Sequence, residues 1–355
     1  MAGEADNPAD QKSGRTLWLL FSVSLISAFI IGCVLLLVRQ YRGDGASAVI
    51  EKPTEIIAEA ITLMRAKALK GERSDWPEIQ SIANQIAHNN GGEREGDLDT
   101  ALRYLVSKLE DGHSSYLSRA EVQALLAPAT AAPGKPASIA DAATVQRYAM
   151  IATHGFSGLD PATELAAAQY LRALLNESVG RSNCGLLMDL RANSGGNMYP
   201  MLSGLLPLLP EGLMLSFKSG KGVSSLVSRR GGEIWVEGER ITAALESAPS
   251  APVLPIHIAV LTGPQTGSSG EMVALAFKGR AKTRFFGLPT AGVTSANQPF
   301  PLRHGGIFNL ATSMTLDRSG KPHPGPIQPD ELIEAAAAQK SAEQAAAAWL
   351  DKSCK

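Results

Sequence analysis

Residues 256–278 read IHIAVLTGPQTGSSGEMVALAFK. The first six residues are an apolar run interrupted only by His257, the next segment is punctuated by Gly and Pro, and an apolar stretch follows Ser268. That order spells a buried strand, a tight turn and a helix beginning near Ser268. A serine on a strand-to-helix turn lies where unpaired amides and the positive end of the helix dipole converge, an environment suited to a nucleophile whose attack creates an oxyanion. The same residues, Ser268-Ser269-Gly270-Glu271, also suit a capping box, Ser bonding forward and Glu bonding back. The choice between these readings depends on the rest of the chain.

The chain has 355 residues, enough for one large domain or two moderate ones. Formal net charge is −1, with no basic stripe for nucleic acid and no acidic tail. Three cysteines are too few for a disulfide-built scaffold, and neither they nor the six scattered histidines have metal-site spacing. No metal and no cofactor is called for.

Leu17–Val38, LWLLFSVSLISAFIIGCVLLLV, carries no charge and is long enough to cross a membrane as a helix. Ala46-Ser47-Ala48 offers the pattern of a signal-peptidase site, but Arg39, Arg42 and Asp44 intervene and the apolar run exceeds a usual signal core. The expectation is a single-pass anchor with the large domain on the exported, periplasmic or extracellular side. In an oxidising compartment Cys184 and Cys354 could pair; two free thiols are equally compatible with the sequence.

Beyond the anchor, Glu55–Lys70 has apolar residues at helical spacing, and Asp75-Trp76-Pro77-Glu78 opens a second helix. A third begins at Asp97, with Leu98, Leu102, Leu105, Val106 and Leu109 on one side. Gly112 reads as its left-handed stop, which would put His113 at the negative end of that helix, as a base or as a cap for stray carbonyls. Leu126–Ala143 is rich in Ala and Pro and reads as a linker; Arg147–Thr153 is a strand and Pro161–Leu175 a helix. Gly185–Arg191, GLLMDLR, is an apolar strand ending in Ala192-Asn193-Ser194-Gly195-Gly196, ahead of a helical run over Met198–Leu209. The Gly pair allows close backbone approach and leaves amides unpaired, as an oxyanion donor or as an ordinary tight turn. Glu233–Arg240 reads as a hairpin arm, Ile241–Pro255 as a loop with a short helix, and Asp330–Leu350 as an Ala-rich helix.

Four motifs in a shared order carry a resemblance to the tail-specific, or C-terminal-processing, serine peptidases. The run from Ala60 to Leu117 containing Asp111-Gly112-His113-Ser114 resembles the D-G-H-S region of the histidine-using branch that includes tricorn protease and the nisin-resistance protein. Asp189, Leu190, Arg191, Asn193, Gly195 and Gly196 match D-L-R-x-N-x-G-G, and TGSSGEM matches S-A-S-A-S-E aligned on Glu271. Phe286–Thr294 resembles G-E-P-T-F-G-K-G, and Pro324–Asp330 the terminal G-x-x-P-D.

The resemblance implies a ClpP/crotonase-like α/β core with an N-terminal helical cap, and alternating short strands and helices support α/β independently. It implies nucleophile Ser268, base His113, and an oxyanion hole from the Ser269 amide and the Gly195/Gly196 loop. Glu271 would cap the helix, orient His113 or hold a substrate amine; Asp189 and Arg191 would form a structural ion pair. Ser-Lys peptidases of this family carry their base lysine where this chain has Val293, which cannot accept a proton; that departure would suggest a dead enzyme, except that in the histidine-using branch a histidine does this work, and the matching position here is His113. Lys278 and Lys282 read as surface charge. The interval 118–145 is too short for the PDZ domain that many members insert. The expected organisation is an N-terminal tail (1–16), an anchor (17–38), a helical region (51–125), a linker (126–145), a peptidase core (146–335) and a C-terminal helix (336–355). The implied function is a membrane-anchored serine endopeptidase acting on exported proteins or peptides. Rival readings are a catalytically silent relative holding a hydrophobic peptide or lipid, and a crotonase-type acyl-CoA enzyme of similar architecture.

Overall fold

The computed structural model describes residues 52–88, 95–126, 138–158, 161–181, 184–222, 224–241, 253–333 and 338–355. The anchor expected at Leu17–Val38, its alternative cleavage site and most of the Ile241–Pro255 loop lie outside these residues. No helix among the described residues is long and apolar enough to cross a membrane.

The chain from Glu51 onward forms one compact unit. It begins with three helices, α1 (Pro53–Lys67), α2 (Trp76–His88) and α3 (Glu95–Ser107). Their i, i+3, i+4 spacing lines up Ile56, Ile57, Ile61, Met64, Trp76, Ile79, Leu102 and Leu105 in one cluster. The cluster closes on Phe308 and Leu310 of a long strand from the far end of the chain, so the helical region shares a core with the sheet it covers. Asp75, expected to open α2, has its carboxylate engaged by Arg73 Nε and Nη2 (2.8 and 2.7 Å).

After α3 come β1 (Ser115–Leu117), α4 (Arg119–Leu126), β2 (Ala140–Val145), β3 (Tyr148–Thr153), α5 (Pro161–Arg181), β4 (Gly185–Asp189), and α6 (Met198–Leu205) with one 3-10 turn. Then follow β5 (Gly212–Ser219), β6 (Ser224–Arg230), β7 (Glu233–Val236), β8 (Glu239–Arg240), β9 (His257–Thr262), α7 (Ser269–Phe277) and β10 (Thr283–Gly287). The chain ends with β11 (Ser295–Pro301), β12 (Ile307–Asp317), β13 (Glu331–Leu332) and α8 (Ala338–Ser353).

Two sheets organise these elements. One runs β13-β10-β9-β4-β3-β2, parallel throughout except for β2, the arrangement that strand–helix–strand crossovers produce. Its central strands β4 and β9 are buried along almost their whole length, which is why both read as continuous apolar runs. The second sheet is antiparallel, β1-β12-β5-β6-β7-β8, with β11 on the other edge of β12.

Two expectations are corrected here. The end of the stretch read as linker is β2, which pairs antiparallel with β3 from Ala140↔Thr153 to Val145↔Tyr148; its Ala and Thr side chains are too small and mixed to give a clear alternation. The C-terminal helix does not begin at Asp330. Asp330 N donates to Phe285 O and its carboxylate accepts from Phe285 N, which stitches β13 onto the edge of β10. Helix α8 starts at Ala338, packing Ala342, Ala346, Ala347 and Leu350 against Leu187, Ala259, Leu261 and Phe286. Cys184 and Cys354 form a disulfide, which joins the start of β4 to the end of α8 and resolves the alternatives left open by the sequence.

Candidate active site

Ser268 is the residue between the β9 turn and α7, with φ 49° and ψ −121°. A positive φ is costly for a residue with a Cβ and marks a strained strand-to-helix turn, and the capping-box pairing of Ser268 with Glu271 is present there as well. Glycine at 270 is required, because a Cβ there would sit 2.2 Å from Asn193 O. The turn is tied to the loop after β4: Gly267 N donates to Asn193 O (3.0 Å), and Thr266 Oγ1 to Leu190 O (2.8 Å).

That second loop brings Gly195 and Gly196 alongside Ser268. Both have positive φ, 116° and 105°. A Cβ on Gly195 would meet Ser268 Cβ at 2.9 Å and Ser269 N at 3.1 Å, so the missing side chain is what lets the loops touch. Gly195 N is already engaged by Asn193 Oδ1 (3.1 Å). Gly196 N and Ser269 N donate to no acceptor among the described residues, whereas Ser269 Oγ donates to Gly196 O and clasps the two loops together.

His113 enters from the N-terminal region, and the sequence distance between the two side chains is 155 residues. Its Nε2 lies 3.1 Å from Ser268 Oγ and its Nδ1 2.8 Å from Ser295 Oγ at the start of β11. The turn that presents it is held by Asp111, whose Oδ1 accepts from His113 N (3.0 Å) and Ser114 N (2.7 Å), while Ser114 Oγ donates to Oδ2 (2.6 Å). Asn297 Nδ2 donates to His113 O (2.8 Å). Helix α3 stops at Ser107, and Glu110 and Gly112 both take positive φ before His113. The expected helix-dipole stabilisation of an imidazolium is therefore not what this histidine feels, since that field fades within the last turn. Burial dominates and pushes the His113 pKa below the ordinary histidine value, against smaller raising effects from the Asp111 charge and from the backbone of Ser295. A neutral imidazole at neutral pH is what a general base requires.

Glu271, fully buried, makes no hydrogen bond to His113 among the described residues. Its Oε2 accepts from Ser268 N (3.1 Å), and its Oε1 from Gly292 N (2.9 Å) and Thr290 Oγ1. Burial raises its pKa, opposed by these hydrogen bonds. Of the roles offered by the sequence, the structural one fits: Glu271 ties α7 to the 288–293 loop, whose Gly292 packs on Pro326 and whose Thr290 N donates to Ile327 O (3.2 Å). The resemblance at Phe286–Thr294 and Pro324–Asp330 thus maps onto one interlocked support.

Asp189 and Arg191 pair as expected (2.9 and 2.6 Å), and Arg191 also reaches Glu343 of α8 (2.7 Å). Lys278 Nζ points to Gln328 O and Asp330, and Lys282 Nζ to Pro255 O, away from Ser268. Among the described residues, Cys184, His257 and Cys354 are the group with metal-ligand proximity, but the two sulfurs are bonded to each other and offer no thiolate. Ser295 was not singled out by sequence reasoning; no local pattern marks a serine at the first position of an edge strand.

Residues 147–333 match the sequence profile of Peptidase family S41. The nisin-resistance protein of Lactococcus lactis subsp. lactis is 35% identical over 158 residues, which are 44% of this chain and 48% of that protein, so the chain spans about half the length of the relative it matches. A lipoprotein from Streptococcus agalactiae has a similar fold, with TM-score 0.68 and 23% identity over 86% of this chain and 98% of that one. The photosystem II D1 C-terminal processing protease is more distant, with TM-score 0.52 and 14% identity over 80% and 94%.

Proposed function

We propose, from the premise that this chain belongs to Peptidase family S41 and is a serine-type peptidase, that it hydrolyses peptide bonds of exported proteins or peptides by a Ser-His mechanism. The observation that carries the reading is the 3.1 Å approach of His113 Nε2 to Ser268 Oγ from opposite ends of the chain. His113, neutral, takes the Ser268 hydroxyl proton as Oγ attacks the carbonyl carbon. The Gly196 and Ser269 amides, which have no acceptor among the described residues, hold the oxygen that becomes negative, with Gly195 providing the close approach rather than a donor. The imidazolium then returns the proton to the leaving amine, and water resolves the acyl-enzyme by the same base.

Membrane anchoring through Leu17–Val38 and an exported catalytic domain complete the reading. Support comes from the uncharged apolar run, from the Cys184–Cys354 disulfide, which suits an oxidising compartment, and from relatives described as a lipoprotein and a nisin-resistance protein. Treatment with a fluorophosphonate probe tests the chemistry: wild type is labelled, while Ser268→Ala and His113→Ala are not. An unlabelled, folded wild type would instead identify a silent, ligand-holding relative. Comparing the exported peptides of cells carrying wild type or S268A then tests the substrate class, and identical peptide sets would end the proteolytic reading.

A further inference from the structure

We infer that Ser295 is the positioning residue of this site: its hydroxyl oxygen accepts the Nδ1 proton of His113 and holds the imidazole in the tautomer whose bare Nε2 faces Ser268. The inference rests on the Ser-His reading above and adds a third member to it. An imidazole that removes a proton through Nε2 must carry its own proton on Nδ1, so whatever sits at Nδ1 selects the working tautomer and ring orientation. Here that group is Ser295 Oγ, at 2.8 Å.

The strand bearing it is built to hold that position. Ser295 pairs with Met314 and Asn297 with Ala311, with a one-residue slip in the ladder between positions 296 and 297. The extra residue is Thr312 of the partner strand β12, and a bulge of this kind increases the local twist of the ladder beside Ser295. From this segment Ser295 grips the ring and Asn297 Nδ2 grips the backbone carbonyl of the same histidine. Both carboxylates around the site are otherwise engaged. Asp111 is bonded to His113 N and to Ser114, and Glu271 to Ser268 N, Gly292 N and Thr290. Direction therefore comes from Ser295, whose neutral hydroxyl stands at Nδ1 and whose backbone also acts on the ring, while the nearby negative charge of Asp111 acts without a hydrogen bond to the ring.

The test uses the rate of fluorophosphonate inactivation of the purified full chain, which needs no knowledge of the natural substrate. Loss of a group that orients a histidine lowers reactivity about 10–100-fold. Ser295→Ala is expected to lower kinact by that factor with KI unchanged, and Ser295→Thr, which keeps the hydroxyl, to restore most of it. Ser295→Val, isosteric with S295T but lacking the oxygen, keeps the comparison decisive should S295A be destabilised. A kinact for S295V or S295A within twofold of wild type, or equal rates for S295T and S295V, would overturn the inference while leaving S268A and H113A inert. Failure of wild type itself to react would defeat the Ser-His reading, and the inference with it.

Discussion

Gly196→Ala is the substitution whose consequences the geometry defines most fully. A Cβ at position 196 would lie 2.1 Å from Phe156 O and 2.7 Å from Phe156 C, both backbone atoms that cannot rotate aside. The residue also has φ 105°, where a side chain is disfavoured by about 1–2 kcal/mol. Relieving the clash means moving the loop, which breaks the Asn197 N to Phe156 O hydrogen bond (2.6 Å), and overpacking of this kind costs about 1–3 kcal/mol. Together these predict a stability loss of about 2–5 kcal/mol, read from urea unfolding. The same shift withdraws the Gly196 amide from the place where negative charge develops, and losing one such donor slows turnover about 100–1000-fold. Gly212→Ala is the control. Its φ is 88°, but nothing lies within 4 Å of the added methyl, so it carries the backbone cost without the clash and leaves turnover unchanged. Folded G196A with turnover within threefold of wild type would refute the assignment of Gly196 as an oxyanion donor. Equal destabilisation of G196A and G212A would refute the clash.

Because His113 must be neutral to accept a proton, and burial lowers its pKa, activity falls only as pH drops below the ordinary histidine value of about 6.5; an acidic limb of kcat/KM at or above 7 would contradict the geometry. The Cys184–Cys354 bridge closes a loop with sequence separation 170, for which the chain-entropy estimate is about 5 kcal/mol, so the Cys184→Ser, Cys354→Ser pair should unfold at markedly lower urea and with a larger m-value, because the uncrosslinked unfolded chain exposes more surface. Asp317, held to a pKa of about 2 against burial by hydrogen bonds from His323, Ser319 and Lys321, stabilises the fold above the unfolded aspartate range, and that stability is lost as pH falls through about 2. Asp317→Asn should flatten the decline of Tm over that acidic interval, and an unchanged decline would count against it.

Much of the architecture was legible because it is set over short stretches. The apolar run at 256–261, the Gly/Pro turn and the helix after Ser268 are each determined within a few residues, as are the three N-terminal helices. Two elements were misread for different reasons: β2 forms a local hairpin with β3, but its small mixed residues give no clear alternation, whereas β13 is a strand only because Asp330 reaches the distant Phe285. The helix-dipole expectation for His113 failed for a local reason, since α3 stops at Ser107 and two left-handed residues intervene.

The pattern of residue types along the chain was enough to nominate a hydroxyl at 268, an imidazole at 113 and a glycine pair at 195–196. It could not say that the two side chains meet across 155 positions, that Ser295 stands at the far nitrogen of the ring across 182, or that Cys184 finds Cys354. Nor could it divide Gly195 from Gly196, one amide engaged by Asn193 and the other free of it. Composition and periodicity report the preferences of neighbouring residues, whereas a hydrogen bond between remote segments exists only once the packing of two sheets has brought their edges together.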